Sequence, residues 1–114
     1  MVRQGSLIWA TIPDQNGKNH KCRPAVVLTP TEEIDPSDTI VVAAGTTKFT
    51  EPLPDNKVKL PWHRNGHIVT GLKLPTAVVC EWIVEISLNE VVKIGGMCPE
   101  RHFNKILDQI PRLE

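Results

Sequence analysis

An arginine set against a proline at the head of an apolar run is the residue of this chain best suited to holding an anion. In the stretch HKCRPAVVLTP, residues 20–30, Val26, Val27 and Leu28 call for burial and Pro24 cannot donate a ladder hydrogen bond, yet Arg23 stands at the mouth of the strand. A guanidinium holds its charge at any working pH and offers phosphate oxygens a planar fork of donors. Gly45 closes another apolar run and delivers the hydroxyls of Thr46 and Thr47 at its tip. Imidazoles, which titrate near neutrality, occur at His20, His63 and His67, the last two in a polar loop over residues 61–67 that also carries Trp62 and Arg64. Lys18 and Lys21 add positive charge just ahead of Arg23. Two plainer roles compete with binding: an ion pair from Arg23 to the acidic stretch Glu32, Glu33, Asp35 and Asp38, and turn capping by the threonines.

Short strands must position these groups. Apolar and β-branched runs predict strands over residues 7–12, 25–29, 39–44, 58–60 and 77–86, with turn formers clustered at residues 13–17. In the longest run Val79, Glu81, Ile83 and Glu85 share one parity, and Val78, Cys80, Trp82 and Val84 the other, so one face is wetter. The tail reads as a helix with Pro99 at its first position and Cys98 at the cap. There Phe103, Ile106, Leu107 and Ile110 form an apolar stripe, and Pro111 ends the pattern. The expected fold is mainly β: a small barrel of strongly bent antiparallel strands carrying a C-terminal amphipathic helix. Trp9 and Trp82, inside apolar strands, read as core or dimer-interface anchors, whereas Trp62 is free to stack on an unpaired base.

With 114 residues the chain is expected to form one domain over residues 1–114. Its 13 basic and 13 acidic side chains cancel, which excludes the global positive field of a non-specific nucleic-acid coat protein and leaves only local patches. Three widely spaced cysteines, without a signal-like N-terminus, fit a reducing cytoplasm. No apolar run is long enough for a membrane-spanning helix, and no paired Cys/His spacing suggests a metal, so neither membrane, metal nor cofactor is expected.

The segments GSLIWA, RPAVVLTP, VVAAGTT, TGLKLPTAVVCEWIVEI and KIGGMCPERHFNKILDQI resemble, in order and spacing, the MazF/PemK family of toxin endoribonucleases over nearly the whole chain. The resemblance implies an SH3-like barrel, a homodimer, an antitoxin partner and metal-independent cleavage of single-stranded RNA, not DNA. The family's arginine before proline falls on Arg23, its threonine or serine on Thr46 with Thr47 adjacent, and its strand carboxylate on Glu81. Two departures stand out: the Glu-Gln pair that many members carry ahead of the arginine is missing, and the arginine two residues before the carboxylate in the PemK-like branch is Val79 here.

Such cleavage uses the substrate's 2′-OH as nucleophile, so the protein must deprotonate it, protonate the leaving 5′-oxygen and stabilise added negative charge. Arg23 suits the last task. Glu81 competes with His20, His63 and His67 for the role of base. Lys18, Lys21, Trp62 and Arg64 are the expected RNA contacts. A catalytically weak RNA- or peptide-binding module and a plain interaction domain are the alternatives.

Overall fold

The computed structural model describes residues 2–35 and 39–110, so Asp38 of the acidic stretch and Pro111 lie outside the described residues. Six strands, β1 (Ser6–Ile12), β2 (Lys21–Val27), β3 (Thr39–Thr46), β4 (Lys57–Leu60), β5 (Thr76–Ser87) and β6 (Val91–Met97), precede one helix, α1 (Glu100–Gln109). They form one antiparallel sheet in the order β4-β5-β3-β2-β1-β6, curled into a half-barrel whose edges are β4 and β6. Mainly β with a terminal helix is the architecture expected from the strand pattern.

Alternation along the strands divides the interior in two. One cluster contains Ile8, Ala10, Ile12, Ala25, Val27, Val42, Ala44 and Trp82. The opposite face collects Leu7, Val26, Ala43, Val78 and Cys80, and is covered by Leu72 and by Ile106 of α1. Phe103 and Ile110 pack there too, but Leu107, counted on the same stripe, is exposed, so the helix touches the sheet along a narrower line than its sequence suggests. Pro99 is the N-cap rather than the first helical residue, with extended ψ (142°) and no side-chain cap.

Three strands differ from expectation in ways that matter for the site. β2 begins at Lys21, so Arg23 lies within it and not at its mouth, because pairing with β1 continues through Pro24 to Ile12–Lys21. β3 runs through Gly45 to Thr46. β6, with Val91, Val92 and Ile94, was hidden by its lack of alternation and by Gly95 and Gly96.

β5 is irregular at its centre. Between the pairs Ala43–Ile83 and Gly45–Val78, β3 advances two residues and β5 five. The bulge breaks the parity of the strand, so Val79 turns into the core beside Trp82 while Glu81 is exposed; the two do not share a face.

The segment after β4 lies along the free edge of β6, with Gly96 N–H donating to Thr70 O (3.1 Å) and Met97 N–H to Val69 O (2.9 Å). Approach is so close that a Cβ at Gly96 would overlap the backbone carbonyls of Val69 and Thr70, whereas one at Gly95 meets Leu7 O at 3.3 Å. Gly96→Ala is therefore expected to destabilise by about 3 kcal/mol and Gly95→Ala by clearly less, measured by urea unfolding.

Candidate active site

Arg23 is held from three sides. Its Nε donates to Ile12 O (3.0 Å) and its Nη2 to Asn19 O (3.0 Å), while the guanidinium carbon lies 5.1 Å from the centroid of the Trp82 ring. Trp82 is only 7% exposed, so the stack is partly desolvated and contributes on the order of 1 kcal/mol. Among the described residues the indole N–H of Trp82 has no hydrogen-bond partner. Instead of pairing with Glu32 or Glu33, the guanidinium is fixed by backbone carbonyls and an aromatic face.

Asn19 O is itself placed by a loop wound around one carboxylate. Asp14 Oδ1 accepts from the N–H groups of Asn16 and Lys18 (both 2.9 Å), and Oδ2 accepts from Asn19 Nδ2 (2.9 Å). Asn19 adopts a left-handed φ of 51°, which asparagine tolerates better than most residues. Thus a turn sequence that reads as filler between strands orients the arginine.

β2 pairs with β3 only from Ala25–Ala44 onward, so at Pro24 the two strands part. Pro24 lacks an N–H, and the gap asks for none. Into this gap open Arg23, Lys21, Cys22, Gly45, Thr46, Thr47, Lys48 and Trp9, lining a cleft of about 200 Å³. Continuing the β2–β3 register sets Thr46 across from Arg23. Its hydroxyl donates to Lys48 O (3.2 Å) and accepts from Lys48 N–H (3.0 Å), the turn-capping role, which leaves exposed Thr47 as the hydroxyl facing outward at the strand's tip.

Arg23, Lys21, Thr46 and Thr47 are thus brought together, and the other expected site residues are not. Glu81 is exposed next to Trp82 and lies outside the cleft lining. His20 is exposed directly before Lys21, and Lys18 is exposed in the loop. The 61–67 loop does not fold over Arg23: His63 Nδ1 accepts from Asn65 N–H (3.1 Å), and His67 Nδ1 accepts from Val69 N–H (3.1 Å) and Thr70 N–H (3.3 Å). His67 lies near His102 on α1, whose pKa is held down by burial, by Arg101 and Lys105, and by His67 itself. Trp62 and Arg64 are exposed and line neither this cleft nor the one beside Trp9 described below. Burial pushes the Cys80 thiol up to about 11 and the Cys98 thiol up to about 12, so both stay protonated at neutral pH.

Sequence reasoning missed Lys48 and Trp9. Lys48 follows Thr46 and Thr47 directly and was available as a third basic residue beside the hydroxyls. Trp9 has the opposite parity to Ile8 and Ala10 and lies on the face of Leu7, and that parity was the available signal.

Residues 3–113 match the family described as PemK-like, MazF-like toxin of type II toxin-antitoxin system. Among solved structures, the chain is similar to MazF from Deinococcus radiodurans, with 18% identity over 96% of this chain and 92% of that one and a TM-score of 0.72. A MazE-MazF complex from the same organism gives 18% identity, 96% and 92% coverage and a TM-score of 0.69. An endoribonuclease from a mycobacterial species gives 14% identity, 98% and 95% coverage and a TM-score of 0.67. Among curated proteins, none matches the chain.

The arginine's support is pH-sensitive in a defined direction. Hydrogen bonds from the Lys18 backbone and the Asn19 side chain, with smaller help from Asn16 and the Arg23 charge, hold the Asp14 carboxyl below its ordinary value of 3.8. A depressed folded pKa means that the loop is favoured above the unfolded value and loses this support as pH falls through the folded one. The amide NMR signals of Asn16 and Lys18 are therefore expected to titrate together with a midpoint below 3.8, and to lose that titration in Asp14→Asn.

Proposed function

The chain belongs to the PemK-like, MazF-like toxin family, and from that membership we propose that it is a metal-independent endoribonuclease cutting single-stranded RNA, the toxin of a toxin–antitoxin pair. One observation carries the reading beyond family membership. In a chain of zero net charge, Lys21, Arg23 and Lys48 surround one small cleft with two threonine hydroxyls, and among the described residues no Asp, Glu or His lines it. Such a cleft suits a phosphodiester and would repel a metal ion.

The reaction needs no external reagent. The 2′-oxygen attacks the adjacent phosphorus as its proton passes to a base, the bond to the 5′-oxygen breaks, and that oxygen takes up a proton. A 2′,3′-cyclic phosphate and a 5′-OH result. Arg23, with its Nε and part of Nη2 engaged by carbonyls, directs its remaining donors at the phosphoryl oxygens, and Lys21 and Lys48 spread the added charge. Thr47 donates a further hydrogen bond. The base comes from outside the cleft lining: Glu81, beside Trp82, and His20, beside Lys21, are the two candidates, whereas the Nδ1 atoms of His63 and His67 are committed to their own turns.

Incubated in chelator with mixed-sequence single-stranded RNA, the protein is expected to give discrete fragments ending in 2′,3′-cyclic phosphate. Arg23→Ala should cost about 10²–10³-fold in rate. A 2′-deoxy residue at the cut should abolish cleavage. Glu81→Gln and His20→Gln are expected to differ, and the one that removes the acid limb of the pH–rate profile is the base.

A second reading is favoured by the core position of Val79 and the exposure of Glu81: a relative that grips RNA without cutting it. Salt-dependent RNA binding, weakened by Arg23→Ala but without cyclic-phosphate ends, would establish that reading instead.

We further propose a homodimer that covers exposed apolar surface, Ile94 (44% exposed) on β6 and Ile68 (96%) in the segment after β4. Ile94→Asp is expected to convert a dimer to a monomer in analytical ultracentrifugation without loss of secondary structure. The antitoxin is expected to compete with RNA for the cationic cleft.

A further inference from the structure

A second cleft shares a wall with the first. Trp9 and Cys22 line both; beyond them the second is bounded by Leu72, Leu74, Val92 and the lysines Lys73 and Lys93, and encloses about 350 Å³. We propose that this cleft receives one unpaired RNA base next to the phosphate held at Arg23, stacked on the Trp9 indole. The proposal rests on the ribonuclease reading above and deepens it by naming where the substrate's bases are sensed.

The argument begins with position. A base hangs from the same ribose that carries the phosphate, so a base site must adjoin the phosphate site; Trp9 and Cys22 provide that junction. Register explains how: Trp9 pairs with Pro24 on β2 and with Lys93 on β6, and Thr11 pairs with Cys22. Trp9 and Cys22 therefore share the sheet face opposite to Arg23, and the cleft at Pro24 is where the two faces communicate.

Chemistry points the same way. The walls include the apolar side chains Leu72, Leu74 (60% exposed) and Val92 (66%). Such apolar walls beside the Trp9 indole suit an aromatic ring. Charge favours an anionic occupant: across the two clefts Lys21, Arg23, Lys48, Lys73 and Lys93 give five cations and, among the described residues, no acid. The occupant that fits an apolar slot inside such a field is the base of a polyanionic strand. Trp9, half-buried and flanked by strands on both sides, needs little ordering on binding. Trp62, the exposed tryptophan of the 61–67 loop, lines neither cleft.

Stacking recognises every base to some degree, so the preference at this position should be graded and not absolute. The test is a cycle of protein and RNA changes. Once the protein's cut has been mapped in a mixed pool, an oligonucleotide bearing that sequence is prepared with an abasic residue at each position flanking the cut, and cleaved by wild type, Trp9→Phe, Trp9→Ala and Leu74→Asp. At one position beside the cut the abasic residue is expected to cost wild type tenfold or more. At that position it should cost Trp9→Ala almost nothing further, while Trp9→Phe keeps most of the activity with a changed base preference. Because Trp9 also packs against the core, Leu74→Asp at the exposed rim serves if Trp9→Ala fails to fold; it should weaken the same position alone. If wild type cuts RNA but every abasic penalty is the same in the variants, the base site is wrong and the ribonuclease reading stands. If wild type cuts no RNA under any condition, both fall together.

Discussion

The parting of two strands at Pro24 is the constraint on which the site depends. A residue with a free N–H there would favour continuing the β2–β3 ladder toward Lys21 and Thr46, and the ladder would fill the gap with paired backbone. Proline removes that option, and β3 leaves β2 after Ala25–Ala44. On the other side Gly45 allows β3 to run against β5, where an added Cβ would stand 3.0 Å from Ala77 O. One residue keeps the strands apart and the other lets the departing strand pack.

What fills the gap is held rigidly at modest energetic cost. Arg23 is confined by two backbone carbonyls and by the face of Trp82, and the tryptophan is a core residue that the β5 bulge turns inward. The same ring that packs in the core fixes the position of the charge. The loop around Asp14 completes the clamp from outside. Rigid core, irregular strand and short polar turn converge on a single side chain.

Charge is organised by place instead of amount. A neutral chain does not attract nucleic acid as a whole, and the structure concentrates five cations around two adjoining clefts. The consequence is that local geometry, and not the net charge of the chain, provides a cationic surface. Among the described residues no Asp or Glu lines these clefts, where neighbouring cations would lower a carboxylate's basicity.

The amino-acid sequence by itself determined the mainly β class and the terminal helix, because strand alternation and the apolar stripe of a helix are local patterns; the association of Arg23 with Thr46 was implied there only by the family resemblance. It did not reveal β6, whose apolar residues fail to alternate since the strand lies at an edge. Nor did it reveal that Val79 and Glu81 part company, because a bulge changes parity without changing composition. Only the tertiary structure decided that Trp9 and not Trp62 borders the cleft, that the histidines of the 61–67 loop bond their own backbone, and that Trp82 lies beneath the arginine. Each of these depends on which strands are neighbours and where they separate, a property of the assembled sheet and of no single stretch of chain.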